Sequence, residues 1–157
     1  MDTELDVIVF ECGDRRFALE LHHVQEVITL AYVTPVPLAP PSVQGATNVR
    51  GRMAPVITLQ PFFATASPPA VLPGASAILL GVGDAVAALP VERVVDVLSV
   101  SRRRFESGGE GSGPLVPGSF RGPAGSVPLL DIEAVIERIR EASAEASRQI
   151  NARSEAR

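Results

Sequence analysis

The sequence predicts an all-β chain of two small five-stranded barrels packed together, followed by a C-terminal α-helix. Three observations carry this. Short β-branched runs alternate with Gly, Pro and Asp turn signals over most of the chain. The first half is echoed in the second at an offset of about 70 residues. From Ile132 onward the apolar spacing changes from strand to helix. About five strands per copy are too few to bury both faces of an open sheet, and closing them into a barrel removes the exposed edges.

Residues 5–11 (LDVIVFE) form a strand, Gly13-Asp14 a turn, and residues 16–21 (RFALEL) a half-exposed strand returning across it. Val24, Val27 and Ile28 fall at helical spacing, which allows one helical turn before β character resumes over 28–36, and Val27 is expected in the core. Pro35, Pro37, Pro40 and Pro41 then fix an extended connection. Residues 45–59 (GATNVRGRMAPVITL) are a hairpin bent at Gly51, with Arg50 beside the bend. Residues 64–76 (ATASPPAVLPGAS) read as a surface crossover.

The echo starts after that crossover. Gly13-Asp14 falls on Gly83-Asp84, Ala18-Leu19 on Ala88-Leu89, and Glu26-Val27 on Asp96-Val97. Arg121-Gly122 sits near the register of Arg50-Gly51. Residues 106–113 (ESGGEGSG) form a flexible insert, and they do not follow a strand and open a helix as a phosphate loop would. Asp131 can cap the final helix, whose stripe is Ile132, Val135, Ile136 and Ile139. The chain is thus expected to be a single domain over 1–157. One lobe takes roughly 5–63 with part of the C-terminal region and the other 76–130, with a helix over 131–150 and a frayed tail over 151–157.

Composition narrows the function. The chain is 46% hydrophobic with no Trp, so its core is aliphatic. A net charge of −4 and no basic stripe argue against nucleic acid. Cys12 is alone, buried and inert, which leaves neither a disulfide nor a multi-Cys metal site. The acidic start (MDTELDVIVF) does not resemble a secretory signal, and no run reaches membrane-spanning length, so a cytoplasmic protein without direct membrane insertion is expected. His22 and His23 are adjacent; on a strand they point apart and on a helix they diverge by about 100°, so they cannot easily share a metal. No catalytic constellation and no cofactor motif is found, and the chain reads as a binding module, not an enzyme.

Four stretches resemble the CheW-like adaptors of bacterial chemotaxis. They are FALELHHVQEV (17–27), TPVPLAPPSVQG (34–45), GATNVRGRMAPVITL (45–59) and AALPVERVVDVLSV (87–100). The third is the most specific, being close to the family's G-V-x-N-L-R-G followed by P-V-I-D-L. The resemblance implies two SH3-like barrels and a non-catalytic adaptor. Its implied partners are the cytoplasmic tip of a chemoreceptor (a methyl-accepting chemotaxis protein) and the regulatory domain of a CheA-type histidine kinase. The implied location is a receptor array at the inner membrane or in the cytoplasm. The implied partner-binding residues are Val24, Glu26, Asn48, Arg50 and Gly51. Arg50 can offer its fork of donors to a receptor helix or pair internally with Glu26.

Thr58 stands where the family has an acid, Ala46 is smaller than usual, and Pro90 precedes Val91-Glu92. The N-V-R-G hairpin is intact, which supports receptor binding more than kinase binding. Two rival readings remain. One is a divergent accessory protein that keeps one partner, the receptor, and tunes a non-flagellar (gliding or pilus) pathway. The other is a small enzyme or ligand-binding barrel, for which the sequence offers no residues.

Overall fold

The computed structural model describes residues 3–63, 72–107, 113–123 and 125–155. Twelve strands are present among these: β1 (Glu4–Cys12), β2 (Arg15–Glu20), β3 (Val24–Thr29), β4 (Val33–Thr34), β5 (Val43–Val49), β6 (Arg52–Ile57), β7 (Ser76–Val82), β8 (Ala85–Pro90), β9 (Arg93–Ser101), β10 (Glu106–Ser107), β11 (Gly118–Gly122) and β12 (Gly125–Leu129). One helix follows, α1 (Ile132–Glu155). The strands form two curled sheets, ordered β10-β11-β12-β2-β1-β9 and β4-β5-β6-β8-β7-β3. Each has five principal strands and a two-residue edge strand, β10 or β4.

The duplication and an exchange are both visible in these orders. Strands β1 to β6 repeat as β7 to β12, and each position in one sheet has its counterpart in the other. However, the hairpin β1–β2 completes the sheet of β9 to β12, while β7–β8 completes the sheet of β3 to β6. The two junctions are equivalent parallel pairings, Leu129 with Ala18 and Val56 with Ala88. Each sheet therefore draws strands from both halves of the chain, β1–β2 and β7–β8 having changed places. The cause is local: a 3-10 turn at Leu21–His23 takes the chain out of the first sheet before β3, and Val91-Glu92 does the same between β8 and β9. Gly13 and Gly83, at the bends of the exchanged hairpins, have φ of 67° and 58°, which suits glycine.

The exchange explains why β1 and β7 are apolar in near-continuous runs. On β1, Leu5, Val7 and Val9 face the interior of their own barrel with Ala18, Val100, Phe120 and Val127. Ile8, Phe10 and Cys12 point the other way, into a core shared between the barrels. On β7 and β8, Ala77 and Ala88 fill the second barrel, while Ile78, Leu80, Ala87 and Leu89 enter the shared core. Phe10 stacks on Phe17 at 6.1 Å within it. Each such buried side chain contributes about 1.5–3 kcal/mol, so the contact between lobes is a principal source of stability.

The helix α1 closes the shared core with Ile132, Val135, Ile136 and Ile139. Asp131 caps it, its side chain accepting from the Ala134 N–H at 3.2 Å. The helix continues to Glu155 instead of fraying after residue 150. Its last turns are rich in Ala, Arg and Glu, which have good helix propensity. Two further expectations change. Residues 24–29 are a strand and only Leu21–His23 make a helical turn; Val27 then lies on the outward face of β3 and is 50% exposed. Arg121 lies within β11 opposite Ser126, not in a bend, so its echo of Arg50 is out of register by two residues. The crossover expected at 64–76 falls mostly outside the described residues, as does the centre of the insert at 106–113.

Glu11 at the end of β1 is bound by Arg93 on β9 and by Arg16 on β2, and the Arg93 hydrogen bonds hold its carboxyl below the usual range. Next to it, burial pushes the Cys12 thiol from 9.0 up to about 11, with the Glu92 carboxylate adding to the shift. The unfolded thiol ionises near pH 9 and the folded one does not, so this contribution is present below pH 9 and lost between pH 9 and 11. Stability should fall by about 2 kcal/mol over that window. A urea titration should show the fall, Cys12→Ala should remove it, and the native thiol should resist alkylation at pH 8.

Candidate functional site

The five residues singled out from sequence lie on two segments, the start of β3 and the β5–β6 hairpin. These strands are not neighbours in the ladder: β3 ends one side of the second sheet and β5 lies near the other. Arg50 and Glu26 nevertheless form an ion pair through Arg50 Nη2 and Glu26 Oε1. The site is therefore the seam where the curled sheet comes round on itself. A groove of 200 Å³ follows this seam, lined on one side by Glu26 and Ile28 to Ala31 and on the other by Thr47 to Arg50. Thr47 also crosses it, its buried hydroxyl donating to the Tyr32 carbonyl at 3.1 Å.

The hairpin geometry follows from its two central residues. Val49 pairs with Arg52, leaving Arg50 and Gly51 as a two-residue bend. Both have positive φ, 49° and 86°, as the tight hairpin bends that match strand twist require. Gly51 is suited to this, whereas an arginine there carries a steric cost of about 1–2 kcal/mol. Asn48 supports the bend by accepting the Gly51 N–H at 2.8 Å on its Oδ1. On the other side of the seam, β3 is bulged at Gln25: Val24 pairs with Leu80 and Glu26 with Leu79. Room for the Gln25 side chain comes from Gly81, where a Cβ would sit 2.6 Å from Gln25 Nε2. Glu26 consequently faces Arg50, while Val24 packs against the shared core.

Glu26, Asn48, Arg50 and Gly51 are thus brought together, and Val24, half-buried against the shared core, is the base on which the strand carrying Glu26 rests. Sequence reasoning missed two exposed apolar residues, Tyr32 (72%) and Met53 (62%), and expected Val27, 50% exposed, in the core. Val27 was legible from the alternation of β3, once that stretch is read as strand instead of helix. Met53 lies in a second depression flanking Arg50, of 310 Å³, together with Asp84 and Val86. A larger apolar groove of 620 Å³ runs between α1 and the second sheet, past Leu38 and Ile150, and neither Arg50 nor Glu26 lines it.

The first sheet has an equivalent seam between β9 and β11, held by Arg104 donating to the Arg121 carbonyl at 2.7 Å. There the counterpart of Glu26 is Asp96, whose carboxylate accepts from the Val97 N–H.

Arg50 is 73% and Glu26 32% exposed at the side chain, and such a pair contributes about 0–1 kcal/mol. Arg50→Gly should therefore leave the unfolding free energy within about 1 kcal/mol of the parent, the relief of strain offsetting the lost pair. Asn48→Ala should cost about 1 kcal/mol through the unmet Gly51 N–H. Urea unfolding of both variants checks this order; a larger loss for Arg50→Gly than for Asn48→Ala would make Arg50 a structural residue.

The profile of the CheW-like domain family matches residues 6–140. The chemotaxis protein CheW of Thermotoga maritima is 26% identical over 138 residues, covering 87% of this chain and 90% of that protein. The CheW of Rhizobium meliloti is 32% identical over 103 residues, 64% of each chain. The CheW of Treponema pallidum is 26% identical over 110 residues, and the match spans 64% of its length. In fold, the chain is similar to the crystal structure of the scaffolding protein TtCheW from Thermoanaerobacter tengcongensis. The TM-score is 0.72 at 20% identity, covering 84% of this chain and 87% of that one. With the family profile spanning most of its length and both curled sheets in place, the chain belongs to the CheW-like domain family.

Proposed function

We propose that this chain is the coupling adaptor of a chemosensory array, and that the seam around Arg50 receives the cytoplasmic tip of a chemoreceptor. A second surface then holds the regulatory domain of a CheA-type histidine kinase, so that the adaptor fixes their relative geometry. What supports an adaptor is the family and the relatives, which are named for chemotaxis and scaffolding. No helix among the described residues is long and apolar enough to cross a membrane, and the proposed place of action is the receptor array beside one.

One observation carries the choice of surface. Arg50 occupies a left-handed backbone position that glycine, asparagine or aspartate would fill at less cost. The exposed pair with Glu26 does not offset that cost. Strain that is kept without local compensation points to a use outside the fold. The bend projects the guanidinium outward above a groove, with exposed Met53 in the depression on its other flank. A receptor helix laid along the seam would bury Met53 and the apolar part of the groove. The Arg50 fork would then move from Glu26 to a carboxylate or to carbonyls on the helix, in a drier and stronger setting. Val24 and Gly51 act by shape, setting the base of β3 and the bend.

The test is a pull-down of this chain with a receptor cytoplasmic tip and, separately, with the kinase regulatory domain. Binding of both is expected, and binding of neither overturns the proposal. Arg50→Asp should weaken receptor binding by about tenfold or more, since it places a like charge beside Glu26 and removes the fork. Its thermal melt should stay close to that of the parent; loss of both binding and fold would assign Arg50 to stability instead.

A further inference from the structure

The 3-10 turn between β2 and β3 gathers a second cluster, on the other side of Val24 from the seam. Glu20 Oε2 lies 3.9 Å from the Nε2 of His22 and 3.9 Å from the Nε2 of His23. From the first turn of α1, Glu133 Oε1 comes within 3.7 Å of the same His23 nitrogen. The ligand atoms of Glu20, His22 and His23 all lie within 4.8 Å of one another. On a strand the two histidines would point to opposite faces and on a helix they would diverge by about 100°, the grounds for expecting them not to share a metal. The tight turn overrides this: their rings lie 4.0 Å apart and both Nε2 atoms turn to one carboxylate.

The geometry points to a Zn²⁺-binding site formed by Glu20, His22 and His23, with Glu133 as the fourth ligand. Two imidazoles and carboxylates are a donor set for borderline transition-metal ions, not for Mg²⁺ or Ca²⁺, which take oxygen ligands. A tetrahedral Zn²⁺ with bonds of about 2.0–2.1 Å places neighbouring ligand atoms about 3.3–3.4 Å apart. The His–carboxylate separations of 3.7 and 3.9 Å lie close to that spacing, and rotation of the exposed side chains would draw in the rest of the set, Glu133 most of all. The side chains can make that move. Those of His22 and Glu133 are 65% and 66% exposed, while His23, at 11%, is held in place between Glu20 and Glu133. The ion would clip residues 20–23 to the start of α1 and so fix the strand that begins at Val24 and carries Glu26.

The test is calorimetric titration of the EDTA-dialysed protein with ZnCl₂ at pH 7.5, with MgCl₂ in parallel. One Zn²⁺ per chain should bind, Mg²⁺ should not, and saturating Zn²⁺ should raise Tm by about 5 °C or more. His22→Ala, at an exposed position, should leave the metal-free melt unchanged and weaken Zn²⁺ binding by at least about tenfold. His23→Gln keeps the buried polar volume and should do the same, with Glu133→Gln giving a smaller loss. Absence of saturable Zn²⁺ uptake would overturn the site. So would uptake that is indifferent to both histidine substitutions, or that Mg²⁺ matches. None of these readouts depends on receptor or kinase binding.

Discussion

Two hairpins in this chain are buried on both faces at once, and the rest of the structure depends on that. Strands β1 and β2 line one barrel with Val7, Val9 and Ala18, and line the shared core with Ile8, Phe10, Phe17 and Leu19. Strands β7 and β8 do the same for the other barrel. Because each hairpin completes the sheet built by the other half of the chain, neither barrel is finished without both copies of the repeat. Separating the lobes would expose the shared core and open both sheets, so the lobes are expected to unfold together.

The strand content, the aliphatic core, the capped helix and the repeat were legible in the sequence because each has a local signature. The β-branched runs of 5–11 and 55–59 and the stripe from Ile132 to Ile139 need no knowledge of partners. The exchange was not legible. A repeat offset says which segments are equivalent, but not whether a hairpin closes its own sheet or its neighbour's. That is decided by the turns at 21–23 and 91–92, where the chain changes sheet. The same turn accounts for the helical reading of 24–28. Val24, Val27 and Ile28 have helical spacing, but Val24 and Ile28 lean inward and Val27 outward on a strand. The second-copy bend was misplaced for a related reason. Arg121-Gly122 matches Arg50-Gly51 in letters, whereas pairing of Gly122 with Gly125 moves the bend two residues on.

At the site, the sequence singled out Glu26 and Arg50, and the structure supplies why they meet. Glu26 and Arg50 are 24 residues apart and sit near opposite ends of one sheet. Only the curl of that sheet joins them. The two seams are equivalent by the repeat, yet just one carries an arginine in a left-handed bend against a carboxylate. A duplicated scaffold with one differentiated seam suits an adaptor, which needs unlike surfaces for unlike partners.

The central claim is that this seam is where a receptor helix docks. Amide NMR spectra of the labelled chain, recorded as a chemoreceptor cytoplasmic tip is added, test it most directly. The account predicts that the largest shifts fall on residues 24–29 and 48–51, with the amides of β9 and β11 at the other seam little changed. Saturable binding that leaves 24–29 and 48–51 in place, while shifting the other seam or the groove beside α1, would contradict it.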